Sequence, residues 1–123
     1  MAVRQPAEEA TPLEVARRIV DVAADRQAVD IVLLDISQHS SFADYFIICN
    51  GTSDRQIKAI VDTVIDELER EGEHALHVEG SPASGWVLID YGAVIVHVFG
   101  PEERQYYRLE RLWQDAPTIL RVQ

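Results

Sequence analysis

The sequence predicts an α/β protein with a single mixed sheet of about five strands flanked by helices. Two stretches repeat their apolar residues at helical spacing, and several short runs are rich in Val and Ile. The predicted order is helix, strand, strand, helix, strand, strand, strand, helix. Segments in this order bury their apolar faces when the helices cover one sheet. A length of 123 residues fits one domain.

The first helix begins after Thr11. This residue can cap the helix, Pro12 suits the first helical position, and Glu14 completes a capping box. Apolar residues at helical spacing extend the helix to about Gln27; they are Leu13, Ala16, Ile19, Val20 and Ala23. Residues 1–11 are predicted to be a flexible leader, and residues 12–115 the folded domain.

Two strands and a second helix follow. Asp30–Ile36 has a continuous apolar centre, which favours a strand covered on both faces. A polar loop over Gln38–Phe42 leads to the next strand, Asp44–Asn50. Ser53 then opens a helix that Gly72 ends. Its apolar stripe consists of Ile57, Ile60, Val61, Val64, Ile65 and Leu68.

The last third of the chain predicts a hairpin and a final helix. A weak strand, His74–Val78, and a loop, Glu79–Gly85, come first. Trp86–Tyr91 and Val94–Phe99 then form a hairpin that turns at Gly92, because both runs are apolar and the glycine lies between them. The final helix is predicted to run from Gly100 to about Trp113. Residues 116–123, which include Pro117, are predicted to be an irregular tail.

Alternation along the hairpin gives it two faces. One face, predicted to be core, carries Val87, Ile89, Tyr91, Val94, Val96 and Val98. The other face carries Trp86, Leu88, Asp90, Ile95, His97 and Phe99. Aromatic residues beside a few polar groups are typical of a contact surface. From the hairpin alone, the favoured explanation is a second core layer in which His97 and Asp90 are satisfied internally.

The final helix also has two sides. Tyr106, Leu109 and Trp113 form a stripe that is predicted to pack on the sheet. Arg104, Tyr107, Arg108 and Arg111 gather on the other side. They could contact an acidic or carbonyl-rich partner, or they could be a solvated charged face.

Charge and composition exclude several classes of function. The net charge is −10, and residues 31–100 hold eleven acidic and three basic residues, a balance of −8. With Lys58 as the one lysine, a broad nucleic-acid-binding surface is not expected. Acidic charge would attract a basic protein partner, or it simply maintains solubility. The apolar runs are too short to span a membrane, and Cys49 is alone, so we predict a cytoplasmic protein.

No catalytic pattern is apparent in the sequence. The four histidines show no metal-ligand spacing with Cys49, and no cofactor is predicted. Gly51-Thr52-Ser53 at a helix start could bind an anion, but Ser53 is simply explained as a cap. Asp35 and Asp90 end different strands, and no feature of the sequence brings them together. We predict that the protein is not an enzyme.

Four motifs in the same order resemble the ribosomal silencing factor family, also called Iojap. They are Phe42–Ile48, Asn50–Gln56, Trp86–Gly92 with Ile95–Val98, and Arg104 with Tyr107–Trp113. The third matches the family's W-x-x-x-D…VHV segment, and the fourth matches its R-x-x-Y-x-L-E-x-L-W ending. The resemblance covers about residues 12–115.

The resemblance implies a fold similar to nucleotidyltransferases without their catalytic carboxylates, since no acid-x-acid pair follows Gly51-Thr52-Ser53. It implies binding to the large ribosomal subunit through ribosomal protein L-fourteen. Such binding would block joining of the small subunit and repress translation when nutrients are scarce. It also implies that the chain can form a homodimer. The remaining alternative is a nucleotidyltransferase-like enzyme that binds nucleotides.

Because the motifs fall on the mixed hairpin face, the resemblance favours a contact surface there over a second core layer. The predicted partner-binding residues are Trp86, Leu88, Asp90, His97, Arg104, Tyr107, Arg108 and Arg111.

Overall fold

A computed structural model of the chain describes residues 10–123 and confirms the predicted fold class. Residues 1–9 of the predicted leader lie outside the described part. The helices are α1 (Pro12–Asp25), α2 (Asp54–Arg70), α3 (Pro101–Tyr107) and α4 (Leu109–Leu112). The strands are β1 (Val29–Asp35), β2 (Tyr45–Asn50), β3 (His77–Ser81), β4 (Trp86–Asp90), β5 (Val94–Phe99) and β6 (Thr118–Val122).

The strands form one mixed sheet in the order β3-β4-β5-β2-β1-β6. β2 and β5 run parallel at its centre, with Tyr45 opposite Val94 and Asn50 opposite Phe99. The other four pairings are antiparallel. Both parallel strands therefore end at the same edge of the sheet, where Gly51 N donates a hydrogen bond to Phe99 O at 2.9 Å.

Helices α1 and α2 cover the first face of the sheet. Both begin as the sequence predicts, with the capping box of Thr11 and Glu14 and with the Ser53 cap. The apolar stripes of the two helices pack on alternate residues of the central strands. The predicted core residues of the hairpin are part of this layer: Val87, Ile89, Val94, Val96 and Val98 are buried in it, and Tyr91 packs partly buried against it.

The second face of the sheet is covered by α3, α4 and the segment around Ala43. Its buried cluster includes Phe46, Ile48, Ile95 and Phe99, and Leu109 and Trp113 pack against it from the last helix. Both faces of the central strands are therefore buried, as the continuous apolar run in β1 predicts.

The C-terminal tail was predicted to be irregular, and this prediction is wrong. Residues 118–122 form β6, a sixth strand that pairs with β1 and places Leu120 opposite Leu33. Ile119, Leu120 and Val122 pack against the first core layer. The strand has only five residues and is interrupted by Arg121, so the sequence carries only a weak pattern of apolar residues. Hydrogen bonds to the edge of β1 stabilise the strand.

Two other boundaries differ from the prediction. The weak strand lies at His77–Ser81, not His74–Val78, because its register is set by pairing with β4. All of its residues are exposed at the sheet edge, and a short 3-10 turn over Pro82–Ser84 follows. The final helix is broken at Arg108, whose φ of 47° separates α3 from α4.

Across residues 10–123, none of the helices combines the length and the apolar character that a membrane span requires.

Candidate functional site

Seven rings on the second face of the sheet form a continuous aromatic band. Its members are Phe42, Phe46, Trp86, His97, Phe99, Tyr107 and Trp113, and the contact between Trp86 and His97 joins the two halves. Most of the band is buried, but Phe42 at one end is 60% exposed and Tyr107 at the other is 44% exposed. Large exposed aromatic side chains held rigidly by buried neighbours are typical of protein contact surfaces.

A cleft of about 350 Å³ lies beside the Tyr107 end of the aromatic band; we call it the aromatic cleft. It is lined by Glu79, Gly80, Ser84, Trp86, Leu88 and Tyr107. The Trp86 and Tyr107 rings pack with their centroids 4.6 Å apart, and Trp86 also packs on Phe99 at 5.0 Å. The cleft therefore combines apolar walls with the exposed carboxylate of Glu79 at its rim.

Gly80 permits the close approach of β3 and β4 at this cleft. Its φ is +84°, and a Cβ atom there would lie 2.0 Å from the carbonyl oxygen of Trp86. Any other residue would push the edge strand away from Trp86.

The sequence left open whether the mixed hairpin face is a contact surface or a second core layer. In the structure, one part of this face is buried and the other part is partly exposed. Ile95, His97 and Phe99 are buried beneath α3, α4 and the neighbouring rings, as a second core layer would be. Trp86, Leu88 and Asp90 on the outer strand remain partly exposed. The Asp90 carboxylate accepts a hydrogen bond from Gly92 N at 2.7 Å and thereby stabilises the hairpin turn.

His97 forms a hydrogen bond with the side chain of Trp86. The indole Nε1 of Trp86 donates to His97 Nδ1 at 3.2 Å, which fixes the orientation of the indole ring. His97 is only 3% exposed, and its Nε2 has no hydrogen-bond partner among the described residues. Burial lowers the pKa of His97 to about 4, because no neighbouring charge compensates for desolvation of the imidazolium.

We predict that replacing His97 with Gln flattens the pH dependence of stability between pH 4 and 6.5. In this window His97 binds a proton in the unfolded protein but not in the folded protein, so lowering the pH favours unfolding. The wild-type free energy of unfolding should fall by up to about 3 kcal/mol more than that of the variant across the window. Urea denaturation at a series of pH values measures the difference. Parallel pH profiles for the two proteins would show that His97 is not buried as a neutral group.

Arg104 does not lie on an exposed helix face, contrary to the prediction from the sequence. It is 8% exposed, because α3 directs its side chain beneath the last helices, towards the ends of β1 and β2. Its Nη1 contacts Val29 O at 3.1 Å, Asp30 O at 2.5 Å and Asn50 Oδ1 at 3.0 Å. Its Nε and Nη2 contact the Glu110 carboxylate at 3.4 and 3.1 Å. Arg104 therefore joins α3 and α4 to the sheet.

The two tyrosines of α3 have exchanged roles relative to the prediction. Tyr107 packs on Trp86 and Phe99, whereas Tyr106, predicted to pack on the sheet, is 81% exposed. The break at Arg108 explains the difference, because a continuous helical period no longer relates Tyr106 to Leu109 and Trp113. Leu109 and Trp113 pack on the second core layer as predicted.

Arg108 and Arg111 lie apart from the aromatic cleft. Both are exposed, and both line a second cleft whose residues do not overlap with those of the first. The structure therefore groups Trp86, Leu88 and Tyr107 at one site and Arg108 and Arg111 at another.

The candidate catalytic groups have structural explanations. Cys49 is fully buried, and desolvation raises the pKa of its thiol to about 12. Ser53 caps α2, and the side chain of Gln56 accepts from both the amide and the hydroxyl of Thr52, so both residues have structural roles at the start of this helix. Asp35 accepts hydrogen bonds from Ser37. It lies on β1, and both β2 and β5 separate it from β4, which carries Asp90. Residues 10–123 contain no group of His, Cys, Asp and Glu suited to a metal ion.

Neither Phe42 nor the partners of Arg104 were predicted as contact residues. Phe42 was placed in a polar loop, yet its ring packs on Phe46 and Trp113. A single large aromatic among polar loop residues was the available signal. Asn50 and Asp30 gave no comparable signal, since their pairing with Arg104 joins segments more than fifty residues apart.

Comparison with known proteins confirms the resemblance seen in the motifs. Residues 9–123 match a family model described as "Ribosomal silencing factor during starvation". The ribosomal silencing factor RsfS of Bacillus subtilis is 45% identical over 105 residues, which cover 82% of this chain and 89% of that protein. A mouse protein named "Mitochondrial assembly of ribosomal large subunit protein 1" is 31% identical over 77% of this chain and 43% of its own length.

Solved structures agree with the fold. A crystal structure of a Chromobacterium violaceum protein superposes with a TM-score of 0.82 at 34% identity, covering 85% of this chain and 88% of that one. A Bacillus halodurans structure has a TM-score of 0.77 at 37% identity and covers 88% and 98% of the two chains.

Proposed function

The chain belongs to the ribosomal silencing factor family, and from this membership we propose that it binds the large ribosomal subunit through ribosomal protein L-fourteen and prevents the small subunit from joining. The family is named for a regulatory activity, not for catalysis of a reaction. The mouse relative is named for assembly of the large subunit, which favours that subunit as the partner.

The aromatic cleft is the observation that carries the proposal. Trp86 and Tyr107 are large, partly exposed and held by Phe99 and His97, so they lose little conformational freedom when a partner covers them. Leu88 extends the apolar surface along β4. Phe42 and Trp113 continue the same aromatic band toward the other end of the sheet. We place the partner contact on this face.

The charge of the chain favours a basic protein over ribosomal RNA as the direct contact. Residues 31–100 carry a balance of −8, from eleven acidic and three basic residues, and RNA phosphates would be repelled by such a surface. At the aromatic cleft itself, Glu79 offers an exposed carboxylate beside the Trp86 and Tyr107 rings. A lysine or arginine of the partner could contact both the carboxylate and a ring face.

The proposed mechanism is steric. A domain of this length has a radius of gyration of roughly 14 Å, whereas a standard interface covers only about 800 Å² on each partner. Most of the domain would therefore project from the contact and occupy the space that the small subunit needs. The proposed mechanism requires no chemical step.

Co-sedimentation with isolated ribosomal subunits tests the proposal. The protein should pellet with large subunits at a stoichiometry of about one and should not pellet with small subunits. Tyr107→Ala should reduce the pelleted fraction, and Leu76→Ala is the matched control, because Leu76 is a large exposed residue that does not line the aromatic cleft. Equal pelleting with both subunits, or equal loss in the two variants, would contradict the proposed surface.

We predict that association with isolated ribosomal protein L-fourteen slows as salt rises. Opposite charges accelerate encounter, and ions screen that attraction within about 10 Å at 0.1 M salt. The association rate constant should fall about tenfold between low and high salt, with a smaller change in the dissociation rate. Stopped-flow fluorescence of the tryptophans measures both rates. Association rates that stay constant over this range of salt would show that electrostatic attraction does not accelerate binding.

A further inference from the structure

A second cleft, of about 560 Å³, opens where the two parallel strands end; we call it the arginine cleft. Asn50, the last residue of β2, and Pro101, which follows β5, both line it. Val29 and Asp30 contribute from the start of β1. Arg104, Gln105, Arg108, Glu110 and Arg111 contribute from the last two helices.

The arginine cleft lies at a point where the chain direction diverges. After β2 the chain continues into α2, which packs on the first face of the sheet, and after β5 it continues into α3 and α4, which lie over the second. Two parallel neighbours whose following helices go to opposite faces leave a crevice between them. In open α/β sheets, ligands bind in such crevices beyond the carboxyl ends of the strands.

The charge of the arginine cleft differs from that of the rest of the chain. Arg104, Arg108 and Arg111 line it together with two carboxylates, those of Asp30 and Glu110. Both carboxylates already have cationic partners: Glu110 pairs with Arg104 at 3.1 Å, and Asp30 pairs with Arg121 at 2.9 Å. A local excess of positive charge therefore remains in a protein of net charge −10.

Two guanidinium groups in the arginine cleft have unused donors. Arg108 uses its Nε for Gln105 O at 3.1 Å, and neither Arg108 nor Arg111 forms an ion pair within residues 10–123. Below them, the buried amide of Asn50 donates only one long hydrogen bond, 3.4 Å from Nδ2 to Gly51 O. Guanidinium groups bind phosphate oxygens in pairs, which suits them to phosphate recognition.

We propose that the arginine cleft binds a small phosphorylated molecule, with Arg108 and Arg111 contacting its phosphate groups. The cleft volume falls in the range of ligand sites, roughly 300–1,000 Å³. A small ligand fits better than a nucleic-acid strand, because a longer polyanion would extend beyond the cleft over a protein of net charge −10. The site shares no residue with the aromatic cleft, so it can be tested without ribosomes.

Isothermal titration calorimetry on the full chain at low salt, without magnesium, tests this site. The probes are sodium pyrophosphate, ADP, adenosine and a single-stranded oligonucleotide. Pyrophosphate and ADP should bind saturably, and adenosine should not bind. Arg108→Asn and Arg111→Ala should each weaken ADP binding about tenfold, the effect of losing one charge-assisted contact. Asn suits position 108 because it tolerates the positive φ there.

Arg17→Ala is the matched control, since it removes one exposed arginine from α1, away from the cleft. Melting curves of each variant establish that it is folded at the temperature of the titration. Four results would overturn the proposal: no saturable binding of either phosphate probe, adenosine binding as tightly as ADP, the oligonucleotide binding more tightly than ADP, or Arg17→Ala weakening binding as much as the cleft variants.

Discussion

Replacing Trp86 with alanine is expected to weaken binding to the large ribosomal subunit by at least about thirtyfold. Truncation of a central aromatic anchor commonly costs more than about 2 kcal/mol of binding free energy. Trp86 lines the aromatic cleft and also holds Tyr107 in place through ring contact at 4.6 Å. Its loss therefore removes one anchor and releases a second. Fluorescence-labelled protein titrated with large subunits measures the dissociation constant.

The same substitution also lowers stability, because the Trp86 ring packs on Phe99 and bonds to His97. A melting curve of the variant gives the folded fraction at the temperature of the titration. The loss of affinity should greatly exceed the unfolded fraction. Leu76→Ala, which truncates a large exposed side chain outside the aromatic cleft, should leave the dissociation constant within about threefold of wild type, as expected for residues outside the small set that carries most binding energy. If the loss of affinity matches the unfolded fraction, Trp86 is a core residue and not an anchor.

Replacing Arg104 with alanine is expected to lower the free energy of unfolding by about 3–5 kcal/mol, the cost of removing one partner from a buried ion pair. The substitution leaves the Glu110 carboxylate, the Asn50 side chain and the carbonyl oxygens of Val29 and Asp30 without their donor. It also disconnects α3 and α4 from the start of β1. Urea denaturation followed by circular dichroism measures the change.

Arg121→Ala is the matched control for Arg104. The Asp30 carboxylate lies 3.6 Å from Arg104 Nη2 and 2.9 Å from Arg121 Nη1. Arg121 is much more exposed than Arg104, and exposed pairs contribute only about 0–1 kcal/mol. The two variants remove the same charge and should differ by several-fold in their effect on stability. Similar small losses in both would show that Arg104 does not hold the last helices on the sheet.

The elements with strong local signals were predictable from the sequence. The two long helices carry both a capping residue and an apolar stripe, and the central strands are continuous apolar runs. The alternation of the hairpin also separated its two faces correctly. In each case the information lies within about fifteen consecutive residues, which is the range over which periodicity can be read.

The features that depend on distant contacts were not predictable. β6 exists because β1 offers it an open edge, and the break at Arg108 changes which tyrosine faces the sheet. Arg104 looked like a surface residue because its partners on β1 and β2 are remote in sequence. Trp86 and Tyr107 were among the predicted contact residues, but the division into an aromatic cleft and an arginine cleft required the three-dimensional arrangement.

In the proposed mechanism, the bound domain prevents subunit joining by occupying space. Purified small and large subunits, mixed with a molar excess of the protein and separated on a sucrose gradient, test it most directly. The peak of joined ribosomes should be smaller than in the absence of the protein, and it should recover on dilution. Washing the protein free of nucleotide beforehand should leave the inhibition unchanged, and Trp86→Ala should abolish it. Inhibition that requires added nucleotide, or that persists after the protein has been removed, would contradict the steric account and favour a catalysed modification.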